Sequence, residues 1–86
     1  MENTLDGNAA AGMLQAIFPF DMTLAQVTCT GCGATNAVGA AAAYMHGMGT
    51  VIRCPSCDTA LIRVAQDRGH YLLDMRGVRV LQTKEG

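Results

Sequence analysis

The four cysteines of the chain fall into two matched pairs, Cys29-Thr30-Gly31-Cys32 and Cys54-Pro55-Ser56-Cys57. A Cys-x-x-Cys segment holds two sulfurs on one tight turn, aimed at a common centre. Two such turns supply the four corners of a tetrahedron, and tetrahedral sulfur sites take zinc, or iron in a rubredoxin-type centre. Gly33 follows the first pair, where a residue free to take positive φ lets the turn close with its amides directed at the sulfurs. Asp58 holds that place in the second pair, and Asp is among the few other residues that tolerate the left-handed region. Pro55 fixes its own φ and stiffens the second turn. Cys32 and Cys54 are separated by 21 residues, just beyond the usual ribbon spacing and within loop variation. The expected metal ligands are therefore Cys29, Cys32, Cys54 and Cys57 around one structural zinc, with iron as the alternative. Four buried thiols, or two disulfides, would use the same residues. Chance seldom sorts every cysteine of a chain into two Cys-x-x-Cys pairs, however, and neither pair opens a helix in the βαβ setting of a thioredoxin-like motif.

Other chemistry finds little to work with. A catalytic zinc keeps one position open for water, and four thiolates leave none. His46 and His70 have no Ser, Cys or carboxylate at a recognisable spacing and read as solvated side chains. The glycines are scattered at turns and form no phosphate loop. No catalytic residue and no organic-cofactor site is assigned, and the expectation is a protein that is not an enzyme. Charge argues against a polyanion partner. The formal net charge is −1, and all six Lys and Arg residues lie from Arg53 onward. Four thiolates around a divalent ion would bring the loaded chain near −3. Arg53, Arg63, Arg76 and Arg79 with Tyr44 or Tyr71 would form the nucleic-acid face if there were one. The expected partner is instead another protein, with nucleic acid disfavoured and the oligomeric state open.

No apolar run approaches the ~20 residues that span a bilayer. No basic segment leads into an apolar one as in a signal peptide. The expectation is a cytoplasmic protein with no membrane contact, where thiols stay reduced. A chain of 86 residues makes a single domain over 1–86, with a core too small to be comfortable without a metal.

The elements that must position the cysteines read as follows. Residues 5–18 form a short helix, capped by Asp6 or Asn8 and ended by Pro19. Met13, Leu14, Ile17 and Phe18 make its apolar stripe. The stripe either caps the sheet or, with Phe20 and Met48, leaves a contact surface for a partner. Residues 21–29 read as a strand with Met22, Leu24 and Gln26 on one face. Residues 36–49 are ambiguous, since the alanines favour helix. They are read as a strand ending near His46, with a turn at Gly47-Met48-Gly49. Residues 50–54, 60–66, 70–76 and 78–82 complete the strands, with turn chemistry at 66–69 and a bend at Gly77. Met13, Met22, Met45 and Met75 are core filler. The fold class is small α+β, mainly β: antiparallel strands with two Cys-x-x-Cys knuckles over 22–82, and a short N-terminal helix.

With these residues in place, the chain resembles a zinc ribbon. It is more narrowly similar to a family of small bacterial, largely actinobacterial, zinc-ribbon proteins of uncharacterised function. The resemblance rests on "LDGNAAAGMLQAIF" at 5–18, the two cysteine pairs, "VIRCPSC" at 51–57 and "LLDMRGVRVL" at 72–81. It implies a ribbon fold and a metal held by four cysteines, and it implies no activity. Asp58, where such ribbons usually carry Gly, is the one departure.

Overall fold

The computed structural model describes residues 4–46 and 49–83. Among these residues, eight strands form two antiparallel sheets. The five-stranded sheet has the order β1-β4-β5-β6-β7, built from Thr4–Asp6, Ala42–His46, Gly49–Arg53, Ala60–Asp67 and His70–Asp74. The three-stranded sheet has the order β3-β2-β8, from Thr35–Ala37, Gln26–Cys29 and Val78–Gln82. One short α-helix, α1 at Ala11–Ile17, lies near the N-terminus. No helix among the described residues is long and apolar enough to cross a membrane.

The N-terminal segment departs from the expected helix over 5–18. Leu5 and Asp6 belong to β1, which pairs with β4 through Leu5↔Ala43 and Asp6↔Ala42. A 3₁₀ turn over Gly7–Ala10 follows, and its cap is Asp6, whose Oδ1 accepts from the Asn8 amide at 3.1 Å. The capping residue is the expected one, but it starts a tighter turn. Gly7 sets that geometry: a Cβ there would overlap the Val38 carbonyl, so only Gly lets the chain pass against the turn that links the two sheets between Ala37 and Ala42. α1 then runs one and a half to two turns. It ends where Pro19 requires, with Phe18 extended and its amide bonded to Leu14 O at 2.8 Å. Leu14 is fully buried, and Met13, Ile17 and Phe18 pack on the core beside it. The stripe therefore caps the sheets. Phe20 is half exposed, with its ring 5.7 Å from that of Phe18.

The expected strand over 21–29 is shorter, and the reason is local. Asp21 Oδ1 accepts from both the amide and the hydroxyl of Thr23, at 3.1 and 2.6 Å. This winds Met22–Leu24 into a 3₁₀ turn. Met22 and Leu24, expected on one face, end up 1% and 68% exposed. Only Gln26–Cys29 is strand. The ambiguous alanine-rich stretch resolves into β3, a 3₁₀ turn at Val38–Ala40, and β4. β4 ends at His46 as expected. Met48 and Gly47 lie outside the described residues, and Gly49 opens β5 opposite His46.

The C-terminal half follows its local signals. β6 and β7 are joined by Arg68 and Gly69, both at positive φ (50° and 81°), the requirement of a tight type I′ hairpin. Tyr71 and Leu73 share one face and Leu72 takes the other, as expected, yet β7 buries neither, because among the described residues no second layer covers this strand at the outer position of its sheet. The core between the sheets is built from Leu14, Met22, Val27, Val38, Ile52, Leu61 and Ile62, with Cys29 and Cys54 at its edge. Among the expected core methionines, Met22 is fully buried, Met13 and Met75 pack on the core, and Met45 is on the surface.

Two glycines with opposite surroundings test this packing. Gly12 sits in α1 with open space around it, whereas a Cβ on Gly77 would overlap the Ala60 carbonyl of β6. Gly12→Ala should raise stability by up to ~1 kcal/mol. Gly77→Ala should lower it by about 1–3 kcal/mol or prevent folding. Denaturant titrations of the metal-loaded proteins measure both.

Candidate metal centre

The two cysteine turns come from different sheets. Cys29-Thr30-Gly31-Cys32 connects β2 to β3 in the three-stranded sheet, and Cys54-Pro55-Ser56-Cys57 connects β5 to β6 in the five-stranded one. Their backbones are wired alike. The Gly33 amide donates to Cys29 O at 3.0 Å, and the Asp58 amide to Cys54 O at 2.9 Å. The Cys29 amide donates to Ala34 O at 2.9 Å, and the Cys54 amide to Thr59 O at 2.8 Å. Gly33 and Asp58 both sit at positive φ, 75° and 68°. Asp58 thus reproduces the turn that Gly makes in the first knuckle, and the departure noted in the sequence leaves the geometry intact. Arg53 Nη1 donates to Asp58 O at 3.0 Å, bracing the strained residue from β5.

These turns bring all four predicted ligands together. Cys29 Sγ lies 3.6 Å from Cys57 Sγ, and Cys32 Sγ lies 3.7 Å from Cys54 Sγ. The four sulfurs all fall within 4.8 Å of one another. Metal–sulfur bonds of ~2.3 Å give a tetrahedron sulfur–sulfur edges of ~3.8 Å, so the spacing fits a four-coordinate ion. None of the four is in a disulfide. Cys29 and Cys54 are buried against the core, while Cys32 and Cys57 face solvent. His70 stands apart, at the start of β7 opposite Asp67, and His46 ends β4.

The amides around the sulfurs favour thiolate. Gly31 N–H donates to Cys29 Sγ at 3.2 Å, and Ser56 N–H to Cys54 Sγ at 3.4 Å. The Cys32 amide is the strongest influence on Cys29. Burial opposes it, but Gly31, Cys57 and Thr59 add to it, and the Cys29 thiol is lowered to about 6. For Cys54, burial is the largest influence and raises the pKa. It is outweighed by the amides of Ser56 and Cys57 and by the sulfurs of Cys32 and Cys57, so this thiol too is lowered. Cys32 moves the other way. The Ala34 amide pulls it down, yet Cys57, burial, Cys54 and Cys29 together push it up to about 11. The three neighbouring sulfurs, Cys57 foremost, thus resist ionisation of Cys32. A divalent cation removes that conflict, and the donor set fits such an ion on charge as well as on distance.

Two residues at the site carried no signal in the sequence. The Thr59 hydroxyl lies 3.0 Å from Cys57 Sγ, placed to donate to the thiolate. Its counterpart in the first knuckle is Ala34, so the knuckle pattern alone does not call for a hydroxyl. Gly31 matters for space: a Cβ there would overlap Thr59 Oγ1 and press on Cys57 Sγ from the opposite knuckle. The candidate nucleic-acid residues are dispersed. Arg53 lies 5.7 Å over the Tyr44 ring, Arg76 pairs with Asp74 at 2.8 Å, and Arg79 is on the other sheet.

Fold and site together define a small, mostly β protein of the ribbon type, with two cysteine knuckles able to hold one metal ion. The chain belongs to DUF6510, a family of unknown function whose model matches residues 1–86. No curated protein and no solved structure matches it.

Gly31→Ala should weaken metal binding about 10–100-fold, in the range seen for residues that support ligands. Thr59→Val should do so by less, since it removes a donor without adding bulk. Competition with a chromophoric chelator measures both. Cys29→Ser or Cys54→Ser should leave the chain unfolded, because each removes a buried ligand at the junction of the sheets. A cooperative melt unchanged by these substitutions or by chelation would contradict a structural metal.

Proposed function

We propose that the chain is a non-catalytic cytoplasmic module in which one structural zinc holds the fold and the surface contacts another protein. The observation that carries the reading is the closed set of four sulfurs, which leaves a bound ion no position for substrate. The zinc would be held by Cys29, Cys32, Cys54 and Cys57, and its part would be cohesion rather than chemistry. Structural zinc contributes ~10–16 kcal/mol of apparent binding free energy in finger peptides, as large as the whole stability of a typical domain.

The contact role is supported by the surface. Leu5, Phe20, Leu24, Tyr71, Leu72, Val80 and other large apolar side chains are exposed on a chain of 86 residues. Nucleic acid is a poorer fit. Arg53 and Arg76 are already engaged within the chain, while Arg63 on β6 and Arg79 on β8 belong to different sheets.

Metal analysis and an absorption spectrum of protein purified without added metal test the reading. One equivalent of zinc in a colourless protein is the expected result. A red, iron-loaded protein would replace it with rubredoxin-like electron transfer. Oligonucleotide binding at physiological salt should be weaker than micromolar and lost on modest addition of salt. Submicromolar binding there would favour a nucleic-acid ribbon instead.

A further inference from the structure

Outer strands usually protect themselves from pairing with another chain by being short, bulged, or marked with Lys or Pro. Three of the four outer strands here fit that description in part. β1 and β3 are three residues each, and the pairing that holds β8 shifts register between Thr28 and Cys29. β7 does not. It is five residues, His70-Tyr71-Leu72-Leu73-Asp74, with no Lys, no Pro and an unbroken register to β6. Its three central side chains are large and apolar, and they are 38%, 58% and 39% exposed.

The hairpin fixes which backbone groups are free. A two-residue loop closes on a hydrogen-bonded pair, here Asp67 and His70, and the ladder alternates from there. His70, Leu72 and Asp74 therefore direct their N–H and C=O groups to β6. Tyr71 and Leu73 direct theirs away from the sheet, to the open edge.

We infer that β7 is the pairing edge for a second copy of this chain, joined antiparallel about a two-fold axis at Leu72 to make one continuous ten-stranded sheet. The occupant follows from self-complementarity. In that register Tyr71 of each copy faces Leu73 of the other, and these are the residues with free N–H and C=O groups, so both strands satisfy them. On one face two Tyr71–Leu73 pairs form, and on the opposite face Leu72 meets Leu72, so each exposed apolar side chain of β7 gains a cross-strand neighbour. At the strand ends His70 of one copy faces Asp74 of the other. Within each copy Asp74 lies across from Arg63, and His70 across from Asp67. The completed row reads Arg63, Asp74, His70, Asp67, alternating basic and acidic across the junction. Beyond the strands Arg68 is set against Arg76, but both are exposed and Arg76 is held by Asp74, so the repulsion is screened. A shallow apolar depression of ≈ 350 Å³ runs beside Leu72 over Ala65 and Val51, and the axis would place two of them side by side.

An edge of five residues makes a small interface, so the association is expected to be weak and reversible. The inference does not depend on the metal's identity, and it assigns the β7 part of the exposed surface, Tyr71 and Leu72 included, to a second copy, leaving Leu5, Phe20, Leu24 and Val80 to the partner proposed above. Sedimentation equilibrium of the metal-loaded chain, from about 10 µM to about 500 µM, should show conversion from one to two times the 9.0 kDa chain mass. Leu72→Lys sets two charges against each other on the axis, and Leu73→Pro removes an outward N–H. Each should raise the dissociation constant at least tenfold, with metal content and melting midpoint unchanged. Should either variant lose its metal, the exposed His70 decides: His70→Glu should weaken the dimer and His70→Lys should tighten it. A chain that stays monomeric throughout overturns the proposal. So does a dimer indifferent to these substitutions, or an edge that accepts a strand only from a different protein.

Discussion

Two turns from two separate sheets meet at four sulfur atoms, and the crowding of those sulfurs is the constraint the rest of the chain accommodates. One knuckle ends β2 and the other ends β5, so the two sheets meet at the four cysteines. Backbone links reinforce the junction. The Thr30 amide donates to Gly77 O at 3.0 Å, tying the first knuckle to the β7–β8 link, and Gly77 lies directly on the backbone of β6. An ion at the centre would therefore act on the relation between sheets, where the small core is weakest.

That weakness comes from composition. The buried set contains Ala10, Ala25, Ala41 and Ala43 and no aromatic residue. Small side chains let backbones come close, which is why Gly7, Gly31 and Gly77 each sit where a Cβ would overlap a neighbouring segment. Close approach gains dispersion contacts but buries little apolar area per residue. The chain compensates by stitching, with a four-sulfur cluster on one side and a helix of seven residues capping another.

The same economy shapes the surface. With few large side chains inside, several are left outside, and they concentrate where the sheets end: Tyr71, Leu72 and Leu73 on β7, Val80 and Leu81 on β8. In a chain whose centre is closed by sulfur, these edges are the places where further contacts can form.

Much of the site was determined by sequence alone, because a knuckle is a local object. The Cys-x-x-Cys spacing, Gly33, and an Asp58 able to take positive φ fix the turn within six residues. The hairpin at Arg68-Gly69, the stop at Pro19 and the cap at Asp6 are equally local. Tertiary structure decided the rest, through contacts between segments far apart in the chain. Leu5 and Asp6 became strand because β4 offered them an edge to pair with. The short turn at Met22–Leu24 buried Met22 and expelled Leu24, against the alternation that the sequence pattern favours, because Asp21 and the core pulled together. β7 alternates as a half-buried strand should, yet lies exposed on both faces, since periodicity records which residues share a face and not whether another layer covers it. Thr59 reached Cys57, and Gly31 made room for it, only once two knuckles from different sheets were brought face to face.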